Sequence, residues 1–255
     1  MDLDASRAGL PVTDGIELPP THLLHPLRPL ARWIISRRFT VRTRGTWHVP
    51  EAGPVILAAN HVGVVDGPLL AIFSPRPVHA LTKQEMFEGK LGGFLHHSGQ
   101  IPLNRFAADP SAMKACIAVL RAGRVAGVFP EGTRGAGDLA RFHGGAAYLA
   151  LVTGAPVVPV TMLGTREPGG SSGSLPPRGS TVDMVYGAPF RVPQSPWPRT
   201  REQVRQVTLL LREHMLDQQA RAIAASGRDL PGPLPPGQRN IDDDPHTGVV
   251  EQGAS

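Results

Sequence analysis

The stretch AANHVGVVDGPLL, residues 58–70, closes an apolar run on a polar Asn60–His61 pair and sets a single carboxylate, Asp66, five residues further on. The run before it, Val55–Ala59, is unbroken and of strand length, whereas Asp66-Gly67-Pro68 resembles a helix start, with Asp at the N-cap and Pro early in the helix. No single regular element fits His61 and Asp66. Five residues turn about 140° beyond a full turn on a helix, and on a strand they face opposite sides. The chain therefore reads as strand, turn and helix, with Gly63 permitting the turn. If the turn brings the two side chains together, the carboxylate holds the imidazole in one tautomer and stabilises its protonated form. Taken alone, the spacing favours a capping Asp beside a surface His.

The alternation continues outward. Strand candidates are Thr40–Val49, Val55–Ala59, Val78–Thr82, Val125–Phe129, Val157–Met162 and Thr181–Tyr186. Among the helical patterns between them, DPSAMKACIAVLRAG is the clearest, with Asp109 as N-cap, Pro110 in the first turn and Gly123 as stop. A second covers Gly145–Thr153, and a long one runs from Arg201 to about Ala225. The expected fold class is α/β: a mixed, mostly parallel sheet flanked by helices, in one domain of residues 40–226. Residues 1–21 read as a flexible arm and 227–255, rich in Pro, Gly and Asp, as a disordered tail. Between arm and domain, residues 22–39 repeat Leu27, Leu30, Ala31 and Ile34 at helical spacing, with Arg28, Arg32, Arg37 and Arg38 elsewhere on the surface. One reading is an amphipathic membrane-associating helix with Trp33 near the headgroups; the other is a surface helix packed on the domain. Both can hold for different faces.

With 255 residues, 41% of them hydrophobic, the chain can bury one substantial core. A net charge of +5 favours an anionic partner, a membrane surface or a phosphate-bearing substrate. Nucleic acid is not expected, because no aromatic–basic interleaving or helix-turn-helix pattern accompanies the arginines. The single Cys116 excludes an internal disulfide and a Cys-based zinc cluster, and its apolar helical setting reads as a packed core thiol. His96–His97 has no acidic or thiol ligand at a suitable spacing, so no metal is expected. The sequence opens without a basic-then-apolar leader, and no run reaches the roughly 20 apolar residues of a spanning helix. The protein is expected to lie peripherally on the cytoplasmic side of the cell membrane.

Three further stretches keep company with His61 and Asp66. GQIPLNR (Gly99–Arg105) ends on an Arg past an apolar stretch, and FPEGTR (Phe129–Arg134) follows a strand with an acid, a Gly and another Arg. VVPV (Val157–Val160) sets Pro159 inside a strand-like run, which costs a ladder hydrogen bond and points to an edge or a functional bend. In this order, NHVGVVD, GQIPLNR, FPEGTRG and VVPV resemble the signature of the glycerolipid acyltransferase family, whose best-known members are the 1-acyl-glycerol-3-phosphate acyltransferases. The likeness covers about residues 40–190.

The resemblance implies an enzyme moving a fatty acyl group from an acyl thioester to a lysophospholipid hydroxyl in phospholipid biosynthesis. Acyl-CoA or an acyl carrier protein would be co-substrate, with no cofactor. His61 would be the general base and Asp66 its orienting partner. Arg105 would bind the acceptor phosphate, Glu131, Gly132 and Thr133 would shape the acceptor site, Arg134 would add a second anion contact, and Pro159 would be structural or positioning. Backbone N–H groups after His61 are the expected oxyanion donors. Gly135 replaces the usual Ser, and His143 stands where Lys or Arg is frequent, or is simply a surface His at a helix start. Other acceptors (glycerol 3-phosphate, another lysophospholipid, a glycolipid) remain open, as does a catalytically silent lipid-binding module.

Overall fold

The computed structural model describes residues 11–13, 15–89, 91–104, 108–196 and 199–238. In chain order they form α1 (Leu24–Ser36), β1 (Thr40–Arg44), β2 (Val55–Ala59), α2 (Asp66–Phe73), β3 (Val78–Lys83), α3 (Gly92–His97), β4 (Ile101–Leu103), α4 (Pro110–Arg121), β5 (Val125–Val128), α5 (Gly145–Thr153), β6 (Val157–Leu163), β7 (Thr181–Tyr186) and α6 (Arg201–Ser226). The strands make one seven-stranded sheet of order β1-β7-β6-β2-β5-β3-β4, parallel at every pairing except β6 against β7. This is the mixed, mostly parallel α/β sheet expected from the sequence.

The unbroken apolar runs become inner strands because helices and loops cover both sheet faces. Alternate residues of β2 divide between two cores. Ile56 and Ala58 pack with α4, α5 and α6, while Val55, Leu57 and Ala59 pack with α2 and β7. Asp109 caps α4 as expected, accepting from the N–H groups of Ser111 and Ala112 at 3.1 and 3.0 Å. Cys116 is buried in the first core, where desolvation pushes its thiol up to about 12.

Some expectations are corrected. The strand starting at Thr40 stops at Arg44, because Gly45 turns left-handed (φ 71°) into a single helical turn, Thr46–His48. α3 and β4 lie where neither was expected, and β4 is a three-residue edge strand carrying Pro102. Pro159 is not at an edge: β6 runs between β2 and β7. Its carbonyl accepts from Gly187 N–H on the β7 side at 2.9 Å. There Val157 bridges Phe190 while Val160 pairs with Tyr186, so one extra residue bulges from the facing chain. The proline's missing N–H falls in that bulge, where the ladder is interrupted anyway.

α1 is present, with its polarity arranged differently from a uniformly basic outer face. Arg28 and Arg32 turn inward onto the last carbonyls of α2. Arg32 Nε donates to Ile72 O at 2.8 Å, and both guanidiniums reach Ser74 O. Cations there also complement the helix dipole. Leu30, Trp33 and Ile34 are left facing outward, Trp33 at 56% exposure with Arg37 over its ring. No helix among the described residues is long and apolar enough to cross a membrane. Residues 227–238, from the segment read as a disordered tail, lie against the domain: Gly232 O accepts from Arg166. On the arm, Arg121 holds Pro11 O and Arg124 holds Pro19 O.

Candidate active site

In an open parallel sheet, side chains that follow the carboxyl ends of adjacent strands gather at one rim. β6, β2 and β5 are neighbours, so the residues after them, Thr165–Arg166, Asn60–His61 and Phe129–Glu131, are drawn together. Asn60 fixes the end of β2: its side-chain amide donates to Met162 O at 3.2 Å and accepts from Met162 N–H at 2.7 Å.

The bend after Asn60 brings His61 and Asp66 together. His61 Nδ1 lies 2.9 Å from Asp66 Oδ2, and the same oxygen accepts from the N–H groups of Val62 and Gly63 at 2.7 and 2.8 Å. Asp66 is the first residue of α2 but caps nothing in that helix; its carboxylate folds back onto the turn that carries the histidine. Gly63 serves by close approach rather than by a left-handed φ, since a Cβ there would sit 2.5 Å from Thr165 O. With Nδ1–H committed to Asp66, Nε2 keeps its lone pair. The imidazole, 17% exposed, stacks on Phe129 with ring centroids 4.3 Å apart.

The backbone after His61 is already spent on Asp66, so the expected oxyanion role for the Val62 and Gly63 N–H groups is corrected. The N–H of His61 itself donates to Glu131 Oε1 at 2.9 Å. Glu131 is buried (5% exposed) beneath the loop rather than turned toward solvent. Desolvation pushes its carboxyl up to about 8, with the charges of Asp138 and Asp66 adding to the rise and N–H donors from His61 and Gly137 opposing it.

A cavity of about 1220 Å³ opens from His61. Leu81, Leu103, Met113, Ile117, Val128 and Tyr148 give it a long apolar wall, and α1 contributes Leu23 and Leu27. Gly132, Thr133 and Arg134 line the same space as His61. Arg134 Nη1 donates to Ser172 O at 2.7 Å, and His143, also on the wall, packs against Gly132. Pro159 is not among the described lining residues, and Arg105 lies outside the described residues. Among the described residues, no three His, Cys, Asp or Glu side chains converge as a metal site.

Two residues that the sequence does not single out support the histidine or the loop that carries it. Phe129, the residue on which the histidine stacks, reads in the sequence as the last residue of a strand. Arg166 is a fully buried guanidinium just beyond β6, donating to Val62 O, Gly135 O, Gly170 O and Gly232 O. The available signal was an Arg three residues after an all-apolar strand end.

An acyltransferase family model matches residues 40–163. The chain is 30% identical over 159 residues to a 1-acyl-sn-glycerol-3-phosphate acyltransferase of Bacillus subtilis, covering 62% of this chain and 77% of that protein. It is 32% identical over 143 residues to the protein of the same name from Borreliella burgdorferi, covering 54% and 56% respectively. The crystal structure of a 1-acyl-sn-glycerophosphate acyltransferase from Thermotoga maritima superposes with a TM-score of 0.59 at 19% identity, over 81% of each chain, a likeness of fold.

Proposed function

The chain belongs to the glycerolipid acyltransferase family, and from that premise we propose that it moves a fatty acyl group from an acyl thioester to the free hydroxyl of 1-acylglycerol 3-phosphate, giving phosphatidate. The observation that carries this is the 2.9 Å His61–Asp66 pair at the wall of a long apolar cavity. His61 Nε2 takes the proton of the acceptor hydroxyl as its oxygen attacks the thioester carbonyl. Asp66 stabilises the imidazolium that forms. Collapse of the tetrahedral intermediate breaks the carbon–sulfur bond, and the departing thiolate of coenzyme A or an acyl carrier protein recovers the proton. A thioester is activated enough that no covalent enzyme intermediate is needed.

Arg105 and Arg134 are assigned to the acceptor phosphate, which guanidinium grips through paired hydrogen bonds. Gly132 and Thr133 shape the acceptor side of the cavity, and Glu131 acts through the His61 backbone. The apolar wall takes acyl chain. We place the protein peripherally on the cytoplasmic face of the membrane, docked through Leu30, Trp33 and Ile34 of α1.

The test is thiol release by purified protein given lysophosphatidate and long-chain acyl-CoA. A positioned general base contributes about 10²–10⁴ in rate, so His61→Ala should lose at least about a hundredfold. An unchanged rate would falsify the mechanism. Competition among lysophosphatidate, glycerol 3-phosphate and other lysophospholipids at equal concentration identifies the acceptor.

A further inference from the structure

We propose that Arg166 is a positioning residue for the reaction, clamping the two backbone segments that carry and cover the His61–Asp66 pair. This rests on His61 acting as the base and concerns what holds it in place.

Arg166 is 1% exposed, and its donors go to carbonyls from separate parts of the chain. Nε donates to Val62 O at 3.0 Å, Nη2 to Gly135 O at 2.9 Å and to Gly232 O, and Nη1 to Gly170 O at 2.9 Å. The first two carbonyls belong to residues already tied to the pair. Val62 N–H donates to Asp66 Oδ2 at 2.7 Å, and Gly135 N–H donates to His61 O at 2.8 Å. The bonds form a closed circuit: Arg166 to Val62, Val62 to Asp66, Asp66 to His61, His61 to Gly135, and Gly135 back to Arg166. Moving any member strains the rest.

Charge points the same way. Asp66 is fully buried, and its Oδ1 has no hydrogen-bond partner among the described residues. Burial lowers the Arg166 guanidinium's pKa, and the charge of the Asp66 carboxylate opposes that lowering. Among the described residues, Asp66 on α2 bonds the His61 ring, Glu131 after β5 bonds its N–H, and Arg166 after β6 bonds the next residue, Val62. Asp138 acts on Glu131, and Arg28, Lys83, Asp109, Lys114, Arg134, Arg141 and His143 stand on the cavity wall.

The experiment compares wild type, His61→Ala, Arg166→Gln and Arg166→Lys by thiol release with lysophosphatidate and acyl-CoA across pH, and follows the His61 imidazole by NMR titration without substrate. Arg166→Gln should lower kcat by roughly tenfold or more, as expected for a member of a coupled network, with KM little changed. Removing a cation whose field reaches Asp66 favours the imidazolium, so the acid limb and the NMR titration should both move to higher pH. Arg166→Lys keeps the charge but loses the fork; its limb should stay near the wild-type position while kcat remains reduced. Wild-type kcat together with a wild-type titration in Arg166→Gln overturns the proposal. So does a loss confined to thermal stability. If the Gln variant does not fold, Arg166→Lys decides, and full kcat there overturns it. Undiminished activity in His61→Ala defeats the acyl-transfer mechanism instead, and a wild type that turns over no lysophosphatidate defeats the acceptor assignment. In either case the NMR titration still judges Arg166.

Discussion

A carboxyl buried as deeply as Glu131 ties folding to pH. Its folded pKa is raised to about 8 from an ordinary carboxyl value, so the native state keeps a proton that the unfolded chain gives up. The stability linked to this group is complete below the unfolded pKa and declines as pH rises, until the folded pKa is passed. The slope approaches about 1.4 kcal/mol per pH unit within that window. Calorimetry of wild type should show the melting temperature falling between mildly acidic pH and about 8, and Glu131→Gln should flatten that fall. Parallel curves for the two proteins would contradict the assignment. At this scale the sequence was informative where spacing carried geometry: five residues with a turn between them could join His61 to Asp66, and they do. It was silent where a side chain serves distant backbone. Nothing in the text of FPEGTR says that its acid turns under the loop to the His61 N–H, and nothing near Arg166 names Val62 or Gly135 as partners. Those bonds join chain segments up to about a hundred residues apart, and only the sheet order brings them together.

Helix starts were legible because capping is local chemistry. Asp109 not only bonds the first turn of α4 but also accepts from Asn104 N–H at 3.0 Å, tying the end of β4 to the helix. Asp109→Ala should cost about 1 kcal/mol. In a domain of this size that is a drop of roughly 2–4 °C in melting temperature by calorimetry. Asp109→Asn should recover most of the loss, because an amide oxygen still accepts. β4 and α3 escaped notice because three and six residues give too little periodicity to read. Pro159 misled for a different reason: a proline in a strand marks a missing donor, and an edge and a bulge supply that gap equally well.

Over the whole molecule, α1 presents apolar side chains outward beside the cavity that Leu23 and Leu27 help to line. Sedimentation with anionic vesicles should weaken when Trp33 and Ile34 are both replaced by Ser. Its salt dependence should shrink when the exposed Arg37 and Arg38 are neutralised. Arg32 is a poor probe of that charge effect, since it holds α1 to α2. Vesicle binding indifferent to both pairs of changes would remove α1 from the docking surface. The order of the strands carries a further consequence. Among the described residues, the first strand, β1, finds its sheet neighbour in the last, β7. A nascent polypeptide emerging from the ribosome must therefore carry β1 unmatched until Thr181–Tyr186 has cleared the exit tunnel, and that edge of the sheet is completed only after β2 to β6 have been made.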